Sequence, residues 1–179
     1  MTRIASVYAE ALYGLTRDEG LCDEVLGQLE VLRAAFDAEP DFLRLLSVPS
    51  LSKEERLHIV EESFAGRVHP YLLNFMKILT QKGYMSCFTD CCAAYRDLYN
   101  EDNGILPVKV VTAVPLRQAQ SNRLQSKLNA MTGKQVRLEN VIEPDCLGGV
   151  RLEYDGKRVD DTIRHRLDAV HSLLKNTIL

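Results

Sequence analysis

Cys87, Cys91 and Cys92 form the sharpest cluster of reactive side chains in the sequence. Cys87 and Cys91 are spaced to share one face of a helix, so they could offer two soft ligands to a metal ion. Cys92 points about a quarter-turn away. No histidine adjoins them and the second half of a four-ligand site is missing, so they read as small buried hydrophobes. Gly148-Gly149 lacks the G-x-x-x-x-G-K-[ST] or G-x-G-x-x-G surroundings of a phosphate loop. A glycine pair entering a strand reads instead as a bulge or tight turn. His58 and His69 stand near helix starts, and His165 and His171 on the last helix. None has a serine or cysteine partner in catalytic spacing. Asp160-Asp161 could hold a cation, but a helix N-cap is the simpler account. The expectation is a chain with no catalytic residue, no metal site and no cofactor.

Composition agrees with that expectation. The 179 residues are 46% hydrophobic and 26% charged, with a formal net charge of −3. These are ordinary globular values, with enough apolar material to offset chain entropy. No apolar run approaches the roughly 18–20 residues of a membrane span. Residues 1–10 lack the charged-then-apolar layout of a signal peptide. Five cysteines, an odd number without an export signal, predict reduced thiols rather than a disulfide framework. The near-neutral total conceals an asymmetry. Residues 1–104 carry 10 basic and 17 acidic side chains; residues 105–179 carry 12 and 8. The first part is therefore −7 and the second +4, too little basic excess to favour nucleic acid.

The elements that must position these residues follow from apolar periodicity. Ile4, Tyr8, Ala11, Leu12 and Leu15 predict the apolar face of a first helix, with Ala5 and Ala9 beside it. Leu21, Val25, Leu29, Leu32 and Phe36 mark a second, which Glu39-Pro40 should end. Phe42, Leu43, Leu45 and Leu46 mark a short third. Ser52 to Glu55 fits a capping box that opens a fourth over Leu57, Val60 and Phe64, with Gly66 at its end. Pro70 suits the first turn of a fifth, whose face is Leu72, Phe75, Met76 and Leu79, closed by Gly83. Met85, Phe88, Cys92, Tyr95 and Tyr99 give a sixth, ending near Gly104. This predicts a six-helix bundle over residues 1–104.

Beyond Gly104 the period changes to two. Leu106, Val108 and Val110 alternate as a strand, and Leu116, Leu124, Leu128 and Met131 return to helical spacing up to Gly133. Two further strands follow around Val136 to Ile142 and Val150 to Tyr154. Asp155-Gly156 signals a tight hairpin into a return strand, Lys157 to Val159. Asp160 or Asp161 caps a last helix with stripe Ile163, Leu167, Val170 and Leu174. The prediction is an α+β chain of two domains, the second, residues 105–179, a small α/β unit with a short mixed sheet. A domain of this size is near the lower limit for an independent core.

The segments Val114-Pro115-Leu116, Gly133-Lys134, Glu143-Pro144-Asp145-Cys146-Leu147-Gly148-Gly149-Val150 and Asp155 to Leu167 together resemble the C-terminal signature of the F-type ATP synthase delta subunit. Tyr8-Ala9-Glu10-Ala11-Leu12 is similar to that family's opening, and Leu73 to Leu79 to its fifth-helix segment. The likeness runs in order over essentially the whole length. Tyr84, Asp161, Thr162 and the cysteine cluster depart from the family pattern.

The resemblance implies a non-catalytic peripheral-stalk subunit that ties the catalytic head to the b subunits. It implies an N-domain that binds N-terminal helices of alpha subunits in a groove between the first and fifth helices. Here that groove would use Tyr8, Ala9, Ala11 and Leu12 facing Leu72, Phe75, Met76 and Leu79. The same stripes must also build the bundle core. On that assignment, Phe75→Asp should weaken binding of a partner helix while the bundle stays folded. Docking of the b subunits would involve Arg164, His165 and Arg166. The implied protein is a monomer when isolated, contacts the membrane only through the complex, and sits at the cytoplasmic face of a bacterial membrane. An adaptor for some other amphipathic peptide is the alternative that the helical stripes allow.

Overall fold

The computed structural model describes residues 3–47, 51–165 and 167. The chain is α+β, with helices first and a small mixed sheet after them. It divides into two compact units, Met1–Tyr99 and Asn100–Leu179, so the last turn of the sixth helix falls with the second.

The first unit is helical: α1 (Arg3–Asp18), α2 (Cys22–Ala38), α3 (Pro40–Ser47), α4 (Lys53–Phe64), α5 (Pro70–Lys82) and α6 (Phe88–Asp102). Local chemistry sets its boundaries. α2 ends at Ala38 because Pro40 excludes helical geometry from Glu39, whose φ is −125° and ψ 69°. The capping box forms: Glu55 N–H donates to Ser52 Oγ at 3.2 Å and Ser52 N–H to Glu55 Oε2 at 2.8 Å. These bonds hold the Glu55 carboxyl below its usual range, the Ser52 backbone donor first. Pro70 takes the first turn of α5, and Gly83 ends that helix with φ 75°, where a side chain would be strained.

Phe36 is the aromatic hub of the core, with ring centroids 5.0 Å from Phe88, 5.7 Å from Phe42 and 6.0 Å from Phe64. Leu72, Met76 and Leu79 of α5 are wholly buried. Each stabilises the fold by about 1.5–3 kcal/mol relative to exposure. One polar pin crosses this apolar interior. Thr16 Oγ1 lies 2.7 Å from Tyr95 Oη, joining α1 to α6, and also donates to Tyr13 O at 3.1 Å.

α1 is rotated from its expected setting. Its buried face is Ala5, Ala9, Leu12, Tyr13 and Thr16. Ile4, Ala11 and Leu15 were expected to face the core, yet all three are exposed, with Val7 beside them. The helix is apolar around more than half its circumference, wider than one core-facing stripe requires. The small Ala5 and Ala9 permit the closest approach, so their side wins the core.

The second unit contains β1 (Ile105–Thr112), α7 (Gln118–Thr132), β2 (Gln135–Ile142), β3 (Val150–Tyr154) and β4 (Lys157–Asp160). Strand order is β2-β1-β3-β4. β1 and β2 are parallel, as the α7 crossover demands; β1–β3 and β3–β4 are antiparallel. Asp155 and Gly156, with φ 49° and 68°, turn the chain between β3 and β4. α7 covers one face through Leu128 on Val108, Val110 and Val136. Its amides also close part of the sheet edge. Asn129 Oδ1 accepts from Val136 N–H at 2.8 Å, and Gln125 Nε2 donates to Val136 O at 2.6 Å. Residues 163–165 and 167 are helical. Val170, Leu174, His171 and Arg166 lie outside the described residues.

Candidate functional site

α1 and α5 pack against each other, as the expected groove requires. The eight residues assigned to it divide by burial. Ala9, Leu12, Leu72, Phe75, Met76 and Leu79 are buried members of the core. Tyr8 is half-buried, its ring 6.1 Å from that of Tyr84, and Ala11 is exposed. α1 also leaves a surplus apolar arc on the surface. Ile4, Val7, Ala11 and Leu15 lie along one side at spacings of a helical turn, with Val7 58% and Leu15 44% exposed. Ile78 is the exposed aliphatic residue of α5. Of these, Val7 and Ile78 were absent from the sequence assignments. Their signal was present in the helical period of α1, where the stripe 4-7-11-15 competes with 5-9-12-16. Phe75, only 6% exposed, also cannot carry a charge without loss of the core, contrary to the expectation for Phe75→Asp.

The thiol cluster shows no reactive geometry. Cys91 and Cys92 are buried and Cys87 half-buried. Burial pushes both the Cys91 and Cys92 thiols up to about 12; neighbouring Cys87 and Asp90 add to the first, and Cys91 to the second. Cys92 Sγ lies 3.9 Å from Leu29 O, which ties α6 to α2. Among the described residues there is no group of three or more His, Cys, Asp or Glu side chains that could hold a metal ion.

In the second unit, Gly148-Gly149 is a chain crossing. A Cβ on Gly149, at φ 82°, would stand 2.3 Å from Asp161 O and 2.9 Å from Thr162 Cα. Asp161 N–H donates to Val150 O at 3.1 Å, and Ile163 N–H to Gly148 O at 3.0 Å. The glycine pair and the Asp160–Ile163 segment are thus two halves of one junction. The helix cap expected from Asp160 or Asp161 belongs to Thr162, whose Oγ1 accepts from His165 N–H at 3.2 Å. Asp160 holds that cap in place: its Oδ1 accepts from Thr162 Oγ1 at 2.7 Å and from Thr162 N–H at 3.1 Å. Arg158 donates to its other oxygen at 2.8 Å, and this bond, then those of Thr162, holds the carboxyl well below the usual range.

The sheet face away from α7 carries a row of charges. Register places Glu139, Lys109, Glu153 and Arg158 side by side on β2, β1, β3 and β4, in alternating sign. Arg151 donates to both Glu143 oxygens at 3.0 Å and to Glu153 Oε1 at 2.9 Å. Arg164 is exposed, with Nη1 3.7 Å from a still more exposed Asp145, a pairing of small energetic weight. His165 is exposed beside it.

With these surfaces described, the chain can be set beside known proteins. A family model described as ATP synthase delta (OSCP) subunit matches residues 4–174. The ATP synthase subunit delta of Clostridioides difficile is 32% identical over 98% of this chain and 97% of its own. ATP synthase subunit delta 1 of Syntrophotalea carbinolica is 34% identical, covering 93% of each. In fold, the chain resembles a chain of the Toxoplasma gondii mitochondrial ATP synthase hexamer, with TM-score 0.76 at 19% identity, covering 97% of this chain and 98% of that one. The chain belongs to the ATP synthase delta (OSCP) subunit family.

Proposed function

We propose that this chain is a non-catalytic stator subunit of an F-type ATP synthase peripheral stalk. It links the alpha/beta catalytic head to the b subunits and resists rotor torque. The family match over residues 4–174 carries this reading. Work is then done by attachment rather than by chemistry. One contact per domain makes a bivalent clamp, in which holding one end raises the effective concentration of the other. The functional division is residues 1–104, a six-helix bundle for the head, and residues 105–179, an α/β domain for the stalk.

On the head side, an amphipathic alpha-subunit N-terminal helix lies over α1 and α5. Its anchors meet Ile4, Val7, Ala11, Leu15 and Ile78, with Tyr8 at the margin, in the helix-in-groove mode. Ala9, Leu12, Leu72, Phe75, Met76 and Leu79 support that surface from beneath. On the stalk side, the +4 domain meets an acidic stretch of the b subunits near Arg164, His165 and Arg166. No described helix is long and apolar enough to cross a membrane, which fits indirect attachment at the cytoplasmic face of a bacterial membrane. A native pull-down tests the assignment. Recovery of alpha, beta and b subunits is expected; recovery of an unrelated complex would establish the adaptor reading instead.

A further inference from the structure

Asparagine is followed by glycine once in the chain, at Asn103-Gly104; the other six asparagines precede phenylalanine, glutamate, arginine, alanine, valine and threonine. The pair fills the turn between α6, which ends at Asp102, and β1, which begins at Ile105. Asn103 is exposed. Gly104 has φ 62°, a left-handed setting in which a side chain would be strained, so the turn itself calls for this glycine. Having no Cβ, Gly104 also leaves its main-chain nitrogen unscreened toward the side-chain carbonyl of Asn103. That nitrogen donates to Glu101 O at 3.2 Å, the closing bond of α6, and bonds at helix ends open most readily.

The surroundings decide what a change at Asn103 does. α6 has no basic residue in its last turn, and its end already carries Glu101 and Asp102. Negative charge there opposes the helix macrodipole. A carboxylate at position 103 extends that acidic run by one. On the other side, Gly104 O accepts from Gln135 N–H at 3.0 Å, and Ile105 pairs with Gln135 in the first rung of the β1–β2 ladder. Any lengthening of the main chain between Asn103 and Gly104 therefore shifts the start of that ladder.

We propose that Asn103 is a site of spontaneous covalent modification, converted to aspartate and isoaspartate with water as the co-reactant. Gly104 N gives its proton to solvent base and bonds to Asn103 Cγ. The Cγ–Nδ2 bond breaks, and the nitrogen takes up a proton and leaves as ammonia. Water then opens the resulting five-membered imide. Addition at Cγ breaks the new bond and leaves aspartate. Addition at the main-chain carbonyl carbon of Asn103 breaks the original peptide bond and leaves isoaspartate, whose main chain runs on through Cβ and Cγ. Nothing is oxidised or reduced. Both products add a negative charge to the end of α6, and the second also adds a methylene to the main chain ahead of β1. The glycine that the turn requires is thus the residue that makes Asn103 labile. The proposal is independent of the stator reading.

The test ages the full chain in mildly alkaline buffer, folded and, in parallel, unfolded in urea. Peptide mapping by mass spectrometry, with aspartate and isoaspartate separated by chromatography, follows each asparagine. The folded chain should lose its amide at Asn103 ahead of Asn74, Asn122, Asn129 and Asn140, and isoaspartate should accumulate there. Asn103→Gln, whose longer side chain must close a larger ring, should suppress both products at this position. Products confined to the urea sample would show that the folded turn withholds the amide, and would overturn the proposal. Loss at the other asparagines as fast as at Asn103 would overturn it too. Two stability comparisons judge the consequences. Asn103→Asp, which carries the charge without the added methylene, should have a lower urea midpoint than wild type, and the gap should close at high salt. Chain enriched in isoaspartate should unfold at a lower midpoint still; a midpoint equal to that of Asn103→Asp would refute the shift of the ladder.

Discussion

Cys91 and Cys92 illustrate how position overrides side-chain chemistry. Burial holds both thiols protonated well above the ordinary thiol range, up to about 12, and thiolate is the reacting species. In the native chain an alkylating reagent should therefore modify half-buried Cys22 and Cys87 and spare Cys91, Cys92 and buried Cys146 until the chain unfolds; mass spectrometry of partly alkylated protein checks this. The same burial fixes a pH dependence. Below the ordinary value of 9.0 folded and unfolded thiols both keep their protons, so the contribution is complete. As pH rises toward about 12 the unfolded thiols ionise first and stability falls. Tyr95, also raised mainly by burial, adds in the same direction. Urea midpoints should decline above pH 9, and the decline should be shallower in the Cys91→Ala/Cys92→Ala double variant. The sequence already favoured inert thiols here, since the cluster lacked partner ligands.

Among the elements, legibility followed how local the determining physics was. The stop before Pro40, the Ser52–Glu55 box and the left-handed Gly83 depend on neighbours within one turn, and each could be read from residue types. α1 could not be set correctly, because two overlapping apolar stripes compete and only packing against other helices chooses between them. Thr162 eluded the reading for a related reason. Asp160, Asp161 and Thr162 are all good N-caps, and selection among them depends on Gly149, which follows only from the crossing. That crossing carries a prediction. Gly149→Ala forces a Cβ into the Asp161 carbonyl and a side chain into φ 82°, and should destabilise the second unit by about 3 kcal/mol. Gly156→Ala, where a Cβ meets open space, carries only the backbone term and should lose less. Equal urea midpoints for these two variants would refute the crossing as a determinant of stability.

At the scale of the whole molecule, the family assignment rests on order along the chain rather than on any one motif, which is why it survives the departures at Tyr84, Asp161 and Thr162. The surfaces are less legible than the family, since core and interface draw on the same aliphatic residue types. A pair of variants separates them. Val7→Asp should keep the helical circular dichroism signal and thermal midpoint of wild type yet weaken an alpha-type N-terminal peptide by about tenfold or more in calorimetry. Phe75→Asp should fail to fold cooperatively, because it places a charge in the core. A folded Phe75→Asp, or a Val7→Asp that binds normally, would return the docking surface to the buried stripe. The sheet of the second unit also has an edge to protect, at β2. The amides of Asn129 and Gln125 supply one such protection. They occupy the Val136 donor and acceptor on the outer edge of β2, where a foreign strand would need to pair. A small sheet is thereby guarded against edge-to-edge growth by two neutral side chains of its own crossover helix, which leaves its charges for recognition rather than repulsion.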